Sequence, residues 1–492
     1  MTSSPVSHSS NSPPTPNCDN RHRSIEVFWI FLRLGCIAFG GPAAHLAYFR
    51  NELIQQRKWF SDQQFGSWLA ICQFLPGPAS SQMGFMLGLQ RAGWRGGLAA
   101  FVGFTSPSVL LLVAFATLLP QFVHPLGVAA IHGLKLAACV IVADAVLGMA
   151  KSFCRSKQGQ IIALVSLLLL VMIESVWMQL GVVVFGAVVG CMAYYLTYYL
   201  TYYQIKSPDQ PNAKPSDIVN VAQHSASQQN QQNQQSQRFS VSPRLAKILA
   251  GLFVILFCLS PLLANANSHN SASVWLSLFD IFYRTGALVF GGGHVVLPWL
   301  EQTLVGQQWL SADVFIAGYG ATQAVPGPMF TFAAYLGALI PDPTLIPEPA
   351  LLHDTALLHD TALIHNSVQQ VNEVSVGGAL LAIIAVFLPG FLLLLAVLPV
   401  WAYLSQFALA KAGLAGVNAA VVALLAAAWY HPISTSAITS PLDVLVVILG
   451  FGMLRYRVPS SGLLSRFLSG FCSPLGVVCT CVLISVCSLL IT

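Results

Sequence analysis

Charged residues are scarce in this chain, and their scarcity decides its structural class. Only 8% of the 492 residues are Asp, Glu, Lys or Arg, whereas 55% are hydrophobic, and the mean hydropathy is +0.70. Soluble domains carry about 25% charged residues, so a soluble globular fold is excluded. The chain instead requires a lipid bilayer as its partner, in which helices of roughly 20 apolar residues are stable. The formal net charge of +5 is small and needs no nucleic-acid partner.

Catalytic and metal-binding motifs are also missing. Neither HExxH nor GxSxG occurs, and the eleven cysteines form no CxxC pair and no Cys/His zinc spacing. We therefore expect no cofactor, no metal and no enzymatic activity; most of the cysteines lie in apolar runs, where they pack as small apolar residues. The first residues are rich in Ser, Pro and Asn and lack the apolar core of a signal peptide.

Long apolar runs predict an all-α, polytopic membrane protein. The runs are longer than strands and show no alternation, so helices are indicated. They fall near residues 25–49, 65–90, 97–120, 125–149, 160–180, 181–203, 246–266, 272–300, 313–340, 376–400, 407–429, 441–456 and 470–492.

Two polar stretches interrupt this pattern. Residues 204–243 are rich in Gln, Asn and Ser and are expected to form a disordered cytoplasmic linker. Residues 341–372 form an insertion that repeats Leu-Leu-His-Asp-Thr-Ala, which is either a duplicated solvent loop or a metal-binding segment. The predicted units are a tail at 1–24, an N-terminal repeat at 25–203, the linker, a connecting helix at 244–271 and a C-terminal repeat at 272–492.

The chain contains an internal duplication. Phe39-Gly40-Gly41-Pro42 matches Phe290-Gly291-Gly292-Gly293, and a Trp-x-Ser motif follows in each half at Trp59 and Trp309. Ser61 and Ser311 are predicted to cap the next helix, and Gln64 would complete a capping box with Ser61. Gln73-Phe74-Leu75-Pro76-Gly77-Pro78 then matches Gln323-Ala324-Val325-Pro326-Gly327-Pro328.

The Pro-Gly-Pro motif is expected to break a helix at membrane depth. Proline lacks an N–H and clashes with the preceding turn, and Pro78 and Pro328 suit the start of a new half-helix. A break at matching positions in two halves indicates a binding site. The alternative is a simple proline kink, and for the Gly-rich breaks the alternative is close packing of helices.

Matched arginines add an anion-binding hypothesis. Arg33 and Arg284 lie in apolar runs, where a charge usually has a partner or a function. Together with half-helix N-termini they would attract an oxyanion, and the hydroxyls of Ser81 and Thr331 could donate to it. Alternatively, Arg33 pairs with Glu26, and Arg284 with Asp280, one helical turn earlier.

The residues expected to contact the substrate share these motifs: Arg33, Gly40, Gly41, Pro42, Gln73, Pro76, Gly77, Pro78, Ser81, Arg284, Gly291, Gly292, Gln323, Pro326, Gly327, Pro328 and Thr331. Asp144, His45 and His294 are candidates for proton coupling, because each lies in or beside an apolar run. Lys135 and Glu174 are further intramembrane charges, and a structural contact between Lys135 and Asp144 is the alternative to coupling through Asp144.

Basic residues lie in opposite sets of loops in the two halves. The first half carries them in the loops that hold Arg57, Arg91 and Arg155, whereas the matching loops of the second half have no Lys or Arg. The next loop of the second half has Arg455, Arg457 and Arg466, and its counterpart has none. The positive-inside rule then predicts two repeats of inverted topology. Whether the first two segments of each half cross the membrane or return as re-entrant hairpins stays open.

These doubled motifs resemble those of the chromate ion transporter family. The resemblance covers residues 25–150 and 275–430 well. It implies export of chromate across the bacterial inner membrane and resistance to chromate. Protons are a candidate coupling ion because of Asp144 and the two histidines. A transporter of sulfate or another oxyanion is the first alternative, an intramembrane enzyme is the second, and the oligomeric state is open.

Overall fold

Helices make up the fold. The computed structural model describes residues 16–39, 41–119, 125–173, 176–205, 241–266, 272–290, 296–340, 374–401, 407–455 and 473–491, and no strand occurs within these ranges. The first half contains α1 (Pro16–Ile37), α2 (Gly41–Phe49), α3 (Asp62–Phe74), α4 (Ala79–Leu118), α5 (Pro125–Phe153), α6 (Lys157–Met172) and α7 (Val176–Ile205). The connecting helix is α8 (Pro243–Ala266). The second half contains α9 (Ala272–Leu288), α10 (Val296–Leu300), α11 (Ala312–Ala324), α12 (Phe332–Leu339), α13 (Val376–Val397), α14 (Ala408–Ala428), α15 (Pro441–Arg455) and α16 (Pro474–Ile491).

Six of the described helices are long and apolar enough to cross a membrane, which confirms the prediction of an all-α polytopic membrane protein. Exposed apolar side chains also cover α6, which is shorter than these six helices: Ile161, Leu164 and Leu168 are each about 60–70% exposed. Most of the predicted linker and insertion lie outside the described residues, as does Glu174. Helix α1 begins at Pro16, earlier than the predicted start at residue 25.

The two repeats begin their second segments with the same local devices. A π-helical turn precedes each, at Arg50–Gln56 and Glu301–Val305. The Ser61 hydroxyl accepts from the Gln64 N–H while the Gln64 side chain accepts from the Ser61 N–H, which confirms the predicted capping box. Ser311 caps α11 through the N–H of Val314. Because the cap satisfies N–H groups that lack an intrahelical partner, it fixes where each helix starts.

A sharp bend divides α4 into two antiparallel arms. Ala92 and Gly93 leave helical geometry, and Gly93 has a φ of +64°. The arms pack so closely that a side chain at Gly88 would overlap the backbone of Gly96. Gly337 and Gly378 make the matching contact between α12 and α13. Each half therefore places two helix arms back to back through paired glycines.

The first segments of the N-terminal half return to the level at which they start. Glu26, in the middle of α1 where its apolar part begins, lies 3.6 Å from Arg57, beyond the π-helical turn, and 3.3 Å from Arg91, at the end of the first arm of α4. Arg91 also lies over the ring of Trp59, just before α3. The beginning of the apolar part of α1 therefore lies close to the end of the π-helical turn, the start of α3 and the end of the first arm of α4, so these segments form two hairpins.

The second half shows a matching hairpin. The hydroxyl of Tyr335, in the middle of α12, donates to the carbonyl of Val314, at the start of α11, over 2.9 Å. The rings of Phe315 and Phe332 lie 5.2 Å apart. Helices α11 and α12 are therefore antiparallel arms joined by the Pro-Gly-Pro break.

The matched helices α5 and α14 each pack against helices of the other half. Helix α5 packs against α11, α15 and α16 of the second half, and α14 packs against α6 and α7 of the first. Close approach depends on glycine, because Gly133 of α5 contacts the backbone of Val482, and Gly416 of α14 contacts that of Gly186. Gly133 and Gly416 are matched by the repeat, so equivalent residues build both contacts.

Candidate functional site

The Pro-Gly-Pro breaks have the same backbone geometry in both halves. Helix α3 ends at Phe74 and α11 ends at Ala324, and helical structure resumes at Ala79 and Met329, one residue after the second proline. Gly77 has a φ of +112° and Gly327 a φ of +111°. Residues with a side chain rarely adopt this conformation, so each break requires its glycine.

Each break is held by the opposite half of the chain. The N–H of Gly77 donates to the carbonyl of Val289 over 2.7 Å, and the N–H of Gly327 donates to the carbonyl of Ala38 over 2.9 Å. Ala38 and Val289 are equivalent, because each precedes the Phe of a Gly-rich break. The matched hydrogen bonds show that these breaks are tertiary crossing points, which a simple kink in one helix would not be.

The crossing is also tight. A Cβ on Gly77 would lie 3.0 Å from the Cα of Gly390, and one on Gly327 would lie 2.7 Å from the Oγ of Ser108. Gly390 and Ser108 follow the matched prolines Pro389 and Pro107 within α13 and α4. The side chain of Gln82 bridges the first crossing, since its Nε2 donates to the carbonyls of Pro76 and Gly390.

Gly77 and Gly327 precede the half-helices, and their N–H groups are occupied by carbonyls from the opposite half. The prediction that N–H groups at the start of the half-helices face an anion therefore concerns the residues from Ala79 and Met329 onward, and it stays a prediction. The Thr331 hydroxyl donates to the carbonyl of Pro328, and the buried Ser81 hydroxyl has no partner among the described residues. Pro78, Pro326 and Pro328 are buried, and Pro42 and Pro76 are half-buried.

A cavity of about 130 Å³ lies where the two halves meet. Four residues singled out from the sequence border it: Gly41 and Asp144 of the first half, and Gln323 and Gly327 of the second. Its remaining walls are Ile141, Ala145, Thr322, Val325, Met329, Leu454 and Pro474. The cavity is therefore the place at which the predicted site residues of both repeats come together.

The side chain of Gln323, which borders this cavity, has an unsatisfied hydrogen-bond donor. Its amide nitrogen is buried and has no partner among the described residues. A buried N–H that lacks a partner carries a free-energy cost of about 1–3 kcal/mol, so a ligand that accepts from it gains that amount. Its repeat mate Gln73 is exposed at the end of α3.

Asp144, which borders the same cavity, belongs to an ion pair. Arg455, at the end of α15, donates through Nε to the Asp144 carboxylate over 2.8 Å, and it lies over the Phe451 ring. Both side chains keep more than a third of their surface exposed. Sequence reasoning counted Arg455 only as a loop charge. Arg455 follows Phe451 by one helical turn on the same face of α15, and this spacing could have indicated that Arg455 belongs to the helix.

Lys135 does not contact Asp144, which corrects the structural alternative. Lys135 instead forms an ion pair with Asp313 of α11, and Ser436 also donates to that carboxylate. A second pair joins His132 and Asp443 over 2.9 Å. These contacts fasten α5 to the second half.

The two matched arginines lie away from the cavity, each in its own surroundings. Arg284 pairs with Asp280 over 2.8 Å and lies over the Phe257 ring of α8, as the alternative interpretation stated. Arg33 is exposed on the face of α1 that holds Trp29, and Glu26 pairs with other arginines. Binding of an oxyanion by the two arginines together therefore lacks structural support and stays a prediction.

Further predicted residues divide between the core and the parts not described. His45 is buried, with Nδ1 3.4 Å from the Ser80 hydroxyl and its ring edge-on to Phe104. Gly40, Gly291, Gly292 and His294 lie outside the described residues. Within the described ranges no three His, Cys, Asp or Glu side chains cluster as metal ligands, and the His/Asp repeat lies outside them.

Comparison with known proteins now identifies the family. The model of the chromate transporter family matches residues 25–191 and 276–484. The chain belongs to this family. It is 26% identical to a chromate transport protein of Pseudomonas aeruginosa over 63% of its own length and 65% of that protein, so about a third of the relative is not matched.

Two other relatives extend the comparison. A chromate transport protein of Cupriavidus metallidurans is 24% identical over 64% of this chain and 67% of its own length. An uncharacterized transporter of Methanocaldococcus jannaschii is 23% identical over 65% of this chain and 70% of its own length. No solved structure matches the chain. This member of the chromate transporter family is therefore a multi-pass helical membrane protein, and its matched breaks lie inside the family region.

Proposed function

We propose that this protein exports chromate across the bacterial inner membrane and so gives resistance to chromate. The observation that carries the proposal is the cavity between the halves: its wall includes residues from both repeats, among them Gln323 with its unpartnered amide and Asp144, which pairs with Arg455. Two relatives bear the name chromate transport protein, which supports the choice of substrate.

A tetrahedral dianion suits the chemistry of this cavity. The Gln323 amide supplies two N–H donors and Arg455 supplies a charged, planar set of donors. Gly41 is the first residue of α2, so the partial positive charge of a helix N-terminus also faces the cavity. These groups can donate to oxygen acceptors, although the ionised Asp144 carboxylate offsets the charge of Arg455 while the two are paired.

The halves are inverted in this proposal, with the basic loops of the first half in the cytoplasm. The contacts of Arg57 and Arg91 with Glu26 support this orientation, because they bring the two basic loops together. The first arm of each hairpin then reaches only the middle of the membrane, and the Pro-Gly-Pro breaks meet there. Irregular backbone at this depth is tolerated because the opposite half covers it.

Protons are a candidate coupling ion through Asp144. In this scheme a proton on the Asp144 carboxylate removes the charge that holds Arg455, and the arginine becomes available to the anion. Replacement of Asp144 by Asn would imitate the protonated form. We expect it to keep chromate binding and to abolish the dependence of uptake on the proton gradient.

Uptake into everted membrane vesicles tests the proposal. Vesicles that contain the protein should accumulate chromate on energisation, and vesicles from cells without it should not. Sulfate in excess measures the alternative substrate, and an uncoupler measures the need for a proton gradient. Accumulation of sulfate with no effect of chromate would overturn the choice of substrate, and accumulation only in right-side-out vesicles would overturn the direction.

A further inference from the structure

The two Pro-Gly-Pro hairpins differ in how they are covered. In α11 every residue from Phe315 to Thr322 is buried, because the helix packs against α5, α4 and α16. Among the described elements, its repeat mate α3 packs mainly against α4 and the π-helical turn. Gln63, Gly66, Ala70 and Gln73 of α3 form an exposed stripe.

This stripe of α3 does not have the composition of a surface that faces lipid. Its side chains are two amides, a methyl group and a hydrogen atom, whereas the exposed residues of α6 are Ile and Leu. Polar groups within the bilayer face protein or a water-filled space. We therefore treat the stripe as a surface that borders water in this structure and can be covered by protein.

The covered mate shows which surface fits it. Asp313 of α11 is paired with Lys135 of α5, and Gly320 leaves room only for the Leu134 carbonyl. The repeat relates Asp313 to Gln63 and Gly320 to Ala70. It relates Lys135 to Asn418 of α14, which is half-exposed, with Lys411 and Ala415 exposed on the same helix.

We propose that the exposed stripe of α3 closes onto the Asn418 face of α14 in a second conformation, while the contact between α11 and α5 opens. The present structure is then one of two related arrangements. In the present arrangement the hairpin of the second half is closed and that of the first half is open. The exchange would expose the site between the breaks to one side of the membrane and then to the other.

The residues at the two contacts explain why this arrangement is the one observed. The closed contact has an ion pair between Lys135 and Asp313, whereas the matched contact would join two amides, Gln63 and Asn418. A hydrogen bond between charged groups is stronger than one between neutral groups. The ion pair therefore favours closure of the second-half hairpin, and its loss should favour the exchanged state.

Cross-linking between α3 and α14 tests the proposal. In full-length protein whose native cysteines are replaced and which still transports, Gln63→Cys and Asn418→Cys are combined and treated with a short bifunctional thiol reagent. Asp313→Asn and, separately, Lys135→Asn are added to that pair. Each should raise the cross-linked to free ratio by roughly tenfold, because a charged hydrogen bond contributes about that factor to an equilibrium.

Asp443→Asn is the matched control. It removes the carboxylate that pairs with His132, one turn from Lys135 on α5, and leaves the contact with α11 intact. A cross-linked yield that is equal in all three amide variants, or absent from all, would overturn the proposal. So would unchanged transport by the cross-linked protein. The proposed function gives this exchange its role in transport, but the cross-linking test does not depend on it. The cross-link forms without substrate, so a failure of the protein to transport chromate would leave the cross-linking result unchanged.

Discussion

Replacement of Gly327 by Ala probes the crossing of the two halves most sharply. At a φ of +111° an alanine is strained, and such backbone conformations have a free-energy cost of about 1–3 kcal/mol. The new Cβ would also lie 2.7 Å from the Ser108 hydroxyl, so the loop must shift. That shift weakens the bond from the Gly327 N–H to Ala38, which contributes about 0.5–1.5 kcal/mol. We expect a total loss of about 2–4 kcal/mol in the free energy of unfolding.

The assay is the apparent Tm of purified protein in detergent, together with transport in vesicles. Ser108→Gly places at this position the residue that the second half has at Gly390. In combination with Gly327→Ala, Ser108→Gly should restore the part of the lost stability that is due to the steric contact. The part that is due to the strained φ should remain lost. Gly148→Ala is the matched control, because that helical glycine has open space around it, and alanine there should stabilise by up to about 1 kcal/mol. Wild-type Tm and transport in Gly327→Ala would refute the reasoning.

Three further predictions follow from individual contacts. Ser61→Ala removes the capping box of α3 and should lower stability by about 1 kcal/mol, measured as a shift in apparent Tm; Ser67→Ala, within the same helix, should shift it less. Arg284→Ala leaves the Asp280 carboxylate without its cation and should lower the Tm, and Asp280→Asn should recover part of the loss; a larger loss for Arg33→Ala would contradict the geometry. Single cysteines at Lys157 and Tyr430 should be labelled by an impermeant thiol reagent from opposite sides of the membrane, and labelling of both from one side would contradict the inverted topology.

Local signals in the sequence were sufficient for the local structure. The Ser61 capping box was predicted from residue types at fixed spacing, because a cap depends only on neighbours in the chain. The helix breaks at Gly77 and Gly327 were predicted for the same reason, since Pro-Gly-Pro removes helical hydrogen bonds wherever it lies. Duplication made the prediction stronger, because the same motif recurred in the same order.

Long-range partners were not accessible in this way. Lys135 was compared with Asp144, on its own helix, but its partner Asp313 lies far along the chain. Arg33 and Arg284 are equivalent in sequence, yet α8 covers only the second of them. The repeat has no counterpart of α8 in the first half, so equivalent residues acquired different surroundings. Arg455 was overlooked because a basic residue near the end of an apolar run also indicates topology.

The affinity of the Gln323→Ala variant for chromate tests the central claim most directly. Gln323 borders the cavity and has an unpartnered amide nitrogen. If this amide donates to the substrate, its loss should raise the KM for chromate uptake by roughly tenfold, the factor expected for one hydrogen bond to a charged ligand. Gln90→Ala is the control, because that amide contacts the sulfur of Met86 on its own helix and lies outside the cavity wall. We expect Gln90→Ala to keep the wild-type KM. An unchanged KM in Gln323→Ala, at matched protein levels, would contradict the assignment of this cavity as the chromate site.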